Sequence, residues 1–200
     1  MAKVPKTKKT QSEKDLSSKK SKKETSEKPS MDSNADDSLN ELFVDGIKDL
    51  YWAENHLVKA IPKMIRSASN PALVAALTEH LEATKTHVAR LEEVFRLLDE
   101  KIKAKKCDAM EGLSKEGEGV IEDTDAGSDA RNLGIIMASQ KVEHYEMSAY
   151  TGLSNLATKL GLNNISEILN QTLAEEQEAD NKLAAIADTE ISYPNMQVTS

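Results

Sequence analysis

Three glutamates stand at helix positions where the surrounding pattern favours apolar side chains. Glu54, Glu146 and Glu176 belong to three separate predicted helices, and each lies within about 30° of the centre of its apolar stripe at 100° per residue. An unpaired carboxylate is costly to bury, so it needs a cation, a proton or a metal ion. Because no Lys or Arg occupies the equivalent mid-helix positions, protonated carboxyls or a metal centre remain as interpretations.

The second long helix offers histidines at this level. His80 and His87 lie on one flank of its apolar stripe, about 50–70° from the centre, and Glu82 lies about 150° away. We therefore prefer His80 as the ligand, with His87 and Glu82 as alternatives. A core histidine without a ligand role is the competing interpretation of His80. On the fourth long helix, Asp180 follows Glu176 by one turn on the flank of the stripe.

Such a set of residues favours redox-active metal ions. A site rich in carboxylates and poor in histidine prefers hard ions, so we expect two metal ions, with iron favoured and manganese as the alternative. Proteins with di-iron or di-manganese carboxylate sites hold such ligands inside a four-helix bundle. The expected chemistry is oxidation of Fe(II) or reduction of peroxide or O₂, and whether the protein is an enzyme stays open.

The elements that position these residues are helices. Apolar residues recur with a period near 3.6, and the predicted long helices cover 38–67, 71–100, 128–160 and 163–190. A short helix near 107–123 lies in the connection between the second and third long helices. This pattern predicts an all-α chain with a ferritin-like four-helix bundle and a crossover helix. In antiparallel packing the helix midpoints share one level, which brings the inward glutamates together.

Composition divides the 200 residues unequally. The net charge of −8 combines +6 over residues 1–30 with −14 over the remainder. We predict a disordered Lys/Ser-rich tail over 1–37, a helical domain over 38–190 and a C-terminal tail over 191–200. The tail is expected to act mainly as a solvated segment. Nucleic-acid binding through it is the less favoured alternative, because no arginine or aromatic residue is interleaved with its lysines.

The cysteine content and the absence of long apolar segments indicate the cellular compartment that we expect. The single cysteine, Cys107, agrees with a reducing compartment. No apolar stretch approaches the length needed to span a bilayer, and the start lacks the apolar block of a secretory signal. We therefore expect a cytoplasmic protein without a membrane partner.

Several segments resemble the YciF-like group of bacterial ferritin-like proteins, which are associated with stress. The resemblance covers about residues 39–190 and is carried by DGIKDLYWAENHL, EHLEATKTHVARLEEVF, KKCDAMEGL, QKVEHYEMSAY and TLAEEQEAD. It implies a ferritin-like bundle, a dinuclear metal centre and a homodimer in the bacterial cytoplasm. It implies no established reaction.

The resemblance also implies a ligand set. Glu54 matches the glutamate of the first helix, Glu143 and Glu146 match the carboxylates of the third, and Glu176 matches that of the fourth. The Glu-x-x-His pair of the wider superfamily is missing on both expected helices. The residue three positions after Glu82 is Lys85, and the residue three positions after Glu176 is Ala179. Asp180 is the substitute on the fourth helix. A non-catalytic dimeric scaffold and a DNA-protecting protein that uses the basic tail are the competing functions.

Overall fold

Five helices form the part of the chain that the computed structural model describes, residues 33–189. They are α1 Ser33–Ser67, α2 Pro71–Leu97, α3 Asp108–Asp123, α4 Asp129–Lys159 and α5 Asn163–Thr189. No strand occurs within residues 33–189, which confirms the all-α class and the short helix between the second and third long helices.

The ends of the chain fall outside this description. The predicted tail over 191–200 and most of the predicted tail over 1–37 lie outside the described residues, as does the basic segment offered for nucleic-acid binding. One boundary differs from expectation. Helix α1 begins at Ser33, five residues before the predicted start at residue 38.

Local capping sets the ends of the other helices. The Asn70 side chain accepts a hydrogen bond from the Leu73 amide at 3.0 Å, ahead of a proline at the first position of α2. Ser128 caps α4 in the same way, as such side chains do for free helix amides. Gly161 follows α4 with a φ of +76°, a left-handed conformation that glycine adopts without steric cost. Helix α2 stops at Leu97, three residues before the predicted end, and Asp99 beyond it has a φ of +54°.

The helix directions explain the long connection between α2 and α4. Short turns join α1 to α2 and α4 to α5, so each pair is antiparallel. Near the start of α1, Gly46 faces Leu153, and beyond its end the Ser69 amide donates to Asn132 at 2.9 Å. Helix α1 is therefore antiparallel to α4, which makes α2 and α4 parallel. The chain must travel the length of the bundle between them, and α3 packs on α1 and α4 along this route.

The apolar core consists of two separate clusters. One fills the end of the bundle near the turn between α1 and α2, and the other fills the end near the turn between α4 and α5. Between them lies a layer of buried polar side chains: Glu54, Thr84, His87, Glu143, Glu146, Thr172 and Glu176. No helix within residues 33–189 combines the length and apolar character needed to cross a bilayer.

Candidate metal centre

The polar layer places carboxylates from three helices and histidines from the fourth at one level of the bundle. Glu54 of α1, Glu146 of α4 and Glu176 of α5 have no exposed surface, and neither has His87 of α2. Glu143 is 2% exposed. Apolar side chains close the layer on both sides along the bundle axis, so the carboxylates have little access to water.

One group of potential ligands joins three helices. Nδ1 of His87 lies 2.9 Å from Oε1 of Glu176 and 3.5 Å from Oε1 of Glu54. One donor atom from each of these residues lies within 4.8 Å of the others. The three donors therefore form a compact set of two carboxylates and one imidazole.

A second group lies beside the first and shares a residue with it. It contains His80, Glu143, Glu146 and Glu176, whose donor atoms also lie within 4.8 Å of one another. Nε2 of His80 is 3.4 Å from Oε1 of Glu143, and its Nδ1 is 3.9 Å from Oε2 of Glu176. Glu176 thus turns Oε1 toward His87 and Oε2 toward His80, which is the arrangement of a carboxylate between two sites.

Most donor atoms of the centre lack a partner within the protein. The buried atoms without a hydrogen bond of acceptable geometry include Oε2 of Glu54 and Glu143, both carboxylate oxygens of Glu146 and Glu176, Nε2 of His80 and Nδ1 of His87. Nδ1 of His87 is close to two carboxylates but is not aligned for a hydrogen bond to either. Folded proteins rarely leave so many buried polar atoms unpaired, and cations are the partners that satisfy oxygen and imidazole donors together.

Burial and mutual repulsion oppose ionisation of Glu54, Glu143 and Glu146, whereas for Glu176 the contact with His87 outweighs burial and lowers the pKa. Desolvation, followed by the charges of neighbouring glutamates, raises the pKa of Glu143 and Glu146 well above the ordinary value. Desolvation also raises the pKa of Glu54. For His87, burial alone lowers the pKa, but the carboxylates of Glu176 and Glu54 outweigh it and raise the pKa to about 10. Without a metal, protons must compensate the negative charge of this layer.

Two half-buried residues, Glu175 of α5 and Arg90 of α2, fix the orientation of His87. Its Nε2 lies 2.9 Å from Oε2 of Glu175, and Arg90 holds the same carboxylate through two hydrogen bonds of 2.6 and 2.8 Å. Hydrogen bonding to Arg90 lowers the pKa of Glu175 to about 2, so this carboxylate stays charged and acts as an acceptor. His87 therefore donates from Nε2 to Glu175 and turns Nδ1 toward the centre, as metal-binding histidines commonly do.

Tyr150 contributes a hydroxyl group to the same layer. Its side chain is fully buried, and the hydroxyl donates to Oε1 of Glu54 at 2.5 Å. Burial and the neighbouring carboxylates raise the pKa of Tyr150 well above its ordinary value. The phenol therefore keeps its proton and offers it to Glu54.

The predicted ligands fall into two sets. The structure brings together Glu54, His80, Glu143, Glu146 and Glu176. It does not bring Asp180 into either group: this carboxylate accepts from Gln140 at 3.0 Å and lies 3.3 Å from His144. Glu82, an alternative on α2, points outward and pairs with Lys85 at 2.6 Å.

Other aromatic and histidine side chains have different surroundings. His144 is 65% exposed, whereas His56 is half-buried and stacks on Trp52. His87, only an alternative in the sequence, is the more deeply buried histidine of α2. Its spacing of seven residues from His80 was the available signal, because two helical turns keep both on one side.

Two supporting residues escaped prediction. Tyr150 stands four residues after Glu146 on the same face, which was the available signal. Glu175 carries no comparable signal. Its contact with His87 depends on how α5 is rotated against α2, which the sequence pattern does not specify.

Comparisons with known proteins agree in family and fold. The sequence profile described as "Domain of unknown function (DUF892)" matches residues 38–193. Protein YciF of Escherichia coli K12 is 39% identical over 151 residues, which cover 75% of this chain and 90% of that protein.

Solved structures of other proteins share the helical fold of this chain. The crystal structure of the E. coli stress protein YciF aligns with a TM-score of 0.73 at 38% identity, over 76% of this chain and 96% of the other. YcfI from Rhodopseudomonas palustris aligns with a TM-score of 0.71 at 38% identity, over 74% and 94%. A protein from Xanthomonas campestris pv. campestris shares the fold at 20% identity, with a TM-score of 0.61 over 77% and 93% of the chains.

Proposed function

Because this chain belongs to the DUF892 family, together with the stress protein YciF, we propose that it is a ferritin-like di-metal carboxylate protein of the bacterial stress response. It binds two ions, preferably iron and alternatively manganese, and handles iron or peroxide. We further propose that it works as a cytoplasmic homodimer.

One observation carries this proposal: two compact groups of donors share Glu176. Glu54, His87 and Glu176 form one group, and His80, Glu143, Glu146 and Glu176 form the other. The donors are mainly carboxylate oxygens, a set that suits hard ions better than zinc. The unpaired buried atoms of the same residues support the assignment, because two divalent ions would satisfy them and offset their negative charge.

The residues of the chain have distinct roles in this proposal. Glu54 and His87 would hold one ion, His80, Glu143 and Glu146 would hold the other, and Glu176 belongs to both groups of donors. When bound, such ions supply electrons to an oxidant such as peroxide or O₂. Glu175 and Arg90 orient the imidazole of His87, and Tyr150 holds a proton 2.5 Å from Oε1 of Glu54. The two apolar clusters keep bulk water away along the bundle axis.

Metal analysis of Glu176→Gln tests the proposal. The variant keeps the size of the side chain but removes the charge from the residue that both groups share, so it is expected to lose most of both ions. Glu178→Gln is the matched control, because Glu178 lies on the exposed side of the same helix. Metal content is measured by mass spectrometry after aerobic purification, and the ultraviolet–visible spectrum is recorded before and after peroxide.

The competing function is a scaffold whose polar layer is protonated and inert. It predicts that the wild-type protein purifies without stoichiometric metal and that added Fe(II) and Mn(II) do not raise its melting temperature. It also predicts that peroxide does not change the ultraviolet–visible spectrum. Equal metal content in the wild type and in Glu176→Gln would also exclude the proposed centre.

A further inference from the structure

An apolar cavity of about 160 Å³ ends at the proposed metal centre. Its walls come from four helices of the bundle and from α3, and include Leu57, Ile61, Met64, Ala76, Val142 and Leu183. Along α1 the lining runs from Leu57 to Met64, a rise of about 10 Å at 1.5 Å per residue. The cavity is therefore longer than a single small oxidant needs.

Polar side chains line the cavity at its inner end and at its entrance, and Ser114 and Ser139 line it as well. His80 and Glu143 line it where it meets the centre, and Oε2 of Glu143 and Nε2 of His80 have no hydrogen-bond partner. Glu143 is 2% exposed, so these unpaired atoms are not satisfied by bulk solvent. His80 and Glu143 form the polar inner wall of the cavity, which a polar group of a bound molecule can contact.

The cavity reaches the surface between α2 and α5. Glu79 and Glu178 line it and are both exposed. Lys182 also lines it and pairs with Glu79 across the gap between the two helices. A small molecule can thus enter past charged side chains whose movement disturbs no buried packing.

We propose that this cavity binds a small aliphatic molecule with one uncharged polar end, and that this end lies at His80 and Glu143. The volume supports the size: an apolar cavity of about 150 Å³ in another protein accommodates benzene. This site therefore suits a chain of about six to eight carbon atoms. The uncharged end follows from the surroundings, because the largely apolar walls do not solvate a carboxylate and no Lys or Arg lines the cavity at His80 and Glu143.

A role for this molecule as substrate rests on the proposed di-metal function, whereas its binding does not. In that role the chemical class is an aliphatic alcohol, aldehyde or organic hydroperoxide. The cavity would hold the aliphatic chain and direct the oxygen-bearing end to the ions. Binding and metal content are therefore measured separately on the same preparations.

The binding test uses straight-chain alcohols from butanol to decanol and the full-length protein with the metal that it carries. Titration followed by ligand-observed NMR should show saturable binding to one site. Affinity should rise about fourfold per added methylene and stop rising near octanol. In protein freed of metal with chelator, hexanoate should bind at least tenfold more weakly than hexanol.

Ala76→Leu tests the location, because Ala76 lines the end of the cavity away from the centre and is 8% exposed. The larger side chain should shorten the preferred alcohol by one or two carbons. Ala72→Leu is the matched control, one turn earlier on α2 and outside the lining; it should keep the wild-type preference. Ala179→Leu, at the half-buried entrance on α5, should weaken binding of every chain length and serves if Ala76→Leu does not fold.

The outcomes separate the two proposals. Saturable alcohol binding in a protein that takes up no metal supports the pocket and overturns the di-metal function. Stoichiometric metal with no saturable alcohol binding overturns the pocket alone. Identical preferences in the wild type and in Ala76→Leu, equal binding of hexanol and hexanoate, or undiminished binding in Ala179→Leu would also overturn it.

Discussion

The Tyr150 hydroxyl donates a hydrogen bond of 2.5 Å to Oε1 of Glu54, and both side chains are fully buried. The contact joins α4 to α1 at the level where the apolar core is interrupted. It is the only hydrogen bond that Glu54 accepts from another side chain among those found within residues 33–189. In the metal-free protein Glu54 therefore has Tyr150 as its hydrogen-bond donor, with the His87 imidazole 3.5 Å away.

Tyr150→Phe should destabilise the metal-free protein more than the metal-loaded protein. Loss of the hydroxyl leaves a buried carboxyl without its hydrogen-bond donor, which costs about 1–3 kcal/mol. A bound ion would compensate the Glu54 carboxylate, so the loss of stability should be smaller when metal is present. Chemical denaturation with and without chelator measures both values.

Tyr51→Phe provides the matched control for this substitution. The Tyr51 hydroxyl donates to Glu92 at 3.0 Å in a half-buried contact, where water can replace it. The loss of stability in Tyr51→Phe should be smaller than in Tyr150→Phe and should not depend on metal. Equal destabilisation of Tyr150→Phe in the two metal states would contradict the proposed contact between Glu54 and an ion.

The two histidines of α2 are expected to hold different ions. His80 contacts Glu143, and His87 contacts Glu54. His80→Ala and His87→Ala should each lose about one of the two ions, whereas substitution of Glu176 affects both. Metal content per chain, determined after gel filtration, distinguishes one lost ion from two.

Glu82→Gln completes this comparison. Glu82 is the alternative ligand on α2, but its side chain is 66% exposed and pairs with Lys85. The variant should therefore keep the full metal content. A loss of metal in Glu82→Gln, or full content in His80→Ala, would reassign the ligand of this helix.

The fold and most of the centre could be predicted because both follow from helical periodicity. A glutamate near the centre of an apolar stripe must point inward in any bundle, which identified Glu54, Glu146 and Glu176. The long connection between the second and third long helices predicted a crossover, and the structure shows that it joins α2 to α4, two parallel helices that a short turn cannot join.

Side chains on the flanks of stripes were not predictable in this way. His80, His87 and Asp180 all lie near the border between core and surface, where a small rotation of the helix decides the outcome. The rotation of α2 buries both histidines, and that of α5 turns Asp180 toward Gln140 and His144. Only the packing of all four long helices fixes these angles.

Arg90→Met should weaken metal binding although Arg90 touches no proposed ion. Arg90 holds Glu175, and Glu175 accepts from Nε2 of His87. Without the guanidinium the imidazole is less well oriented, and changes in such supporting contacts typically reduce metal affinity about tenfold or more. Competition with a chromogenic chelator measures the affinity.

Arg96→Met is the control for this loss of charge. Arg96 lies on the same helix, is 66% exposed and pairs with Glu93 at 2.7 Å. It should leave metal affinity unchanged. If Arg90→Met and Arg96→Met behave alike, Glu175 does not position His87 for metal binding.

The stability of the metal-free protein should fall as the pH rises from about 5 to about 10. Burial raises the pKa of Glu143 and Glu146 well above 4.5, so above pH 4.5 the unfolded chain releases protons that the folded chain retains, and unfolding is favoured. The pKa of His87 is raised from 6.5 to about 10. Its stabilising contribution is complete below pH 6.5 and is lost as the pH rises through about 10.

The depressed pKa of Glu175 does not alter this trend. Its value of about 2, against 4.5 ordinarily, gives a contribution that is complete above pH 4.5 and is lost only as the pH falls through about 2. Bound metal should reverse the pH dependence of stability between about pH 5 and about pH 10. Ions displace protons from Glu143 and Glu146, so binding strengthens as the pH rises, and preferential binding to the folded state raises stability.

Melting temperatures measured across this pH range, with chelator and with excess metal, should therefore diverge at high pH. Replacement of both Glu143 and Glu146 by Gln should flatten the fall of the metal-free curve, because the retained protons are gone, and should remove most of the gain from metal. Glu178→Gln should leave both curves unchanged. A metal-free protein that becomes more stable between pH 5 and pH 8 would show that these carboxyls are ionised in the folded chain, and the polar layer would then need another source of compensation.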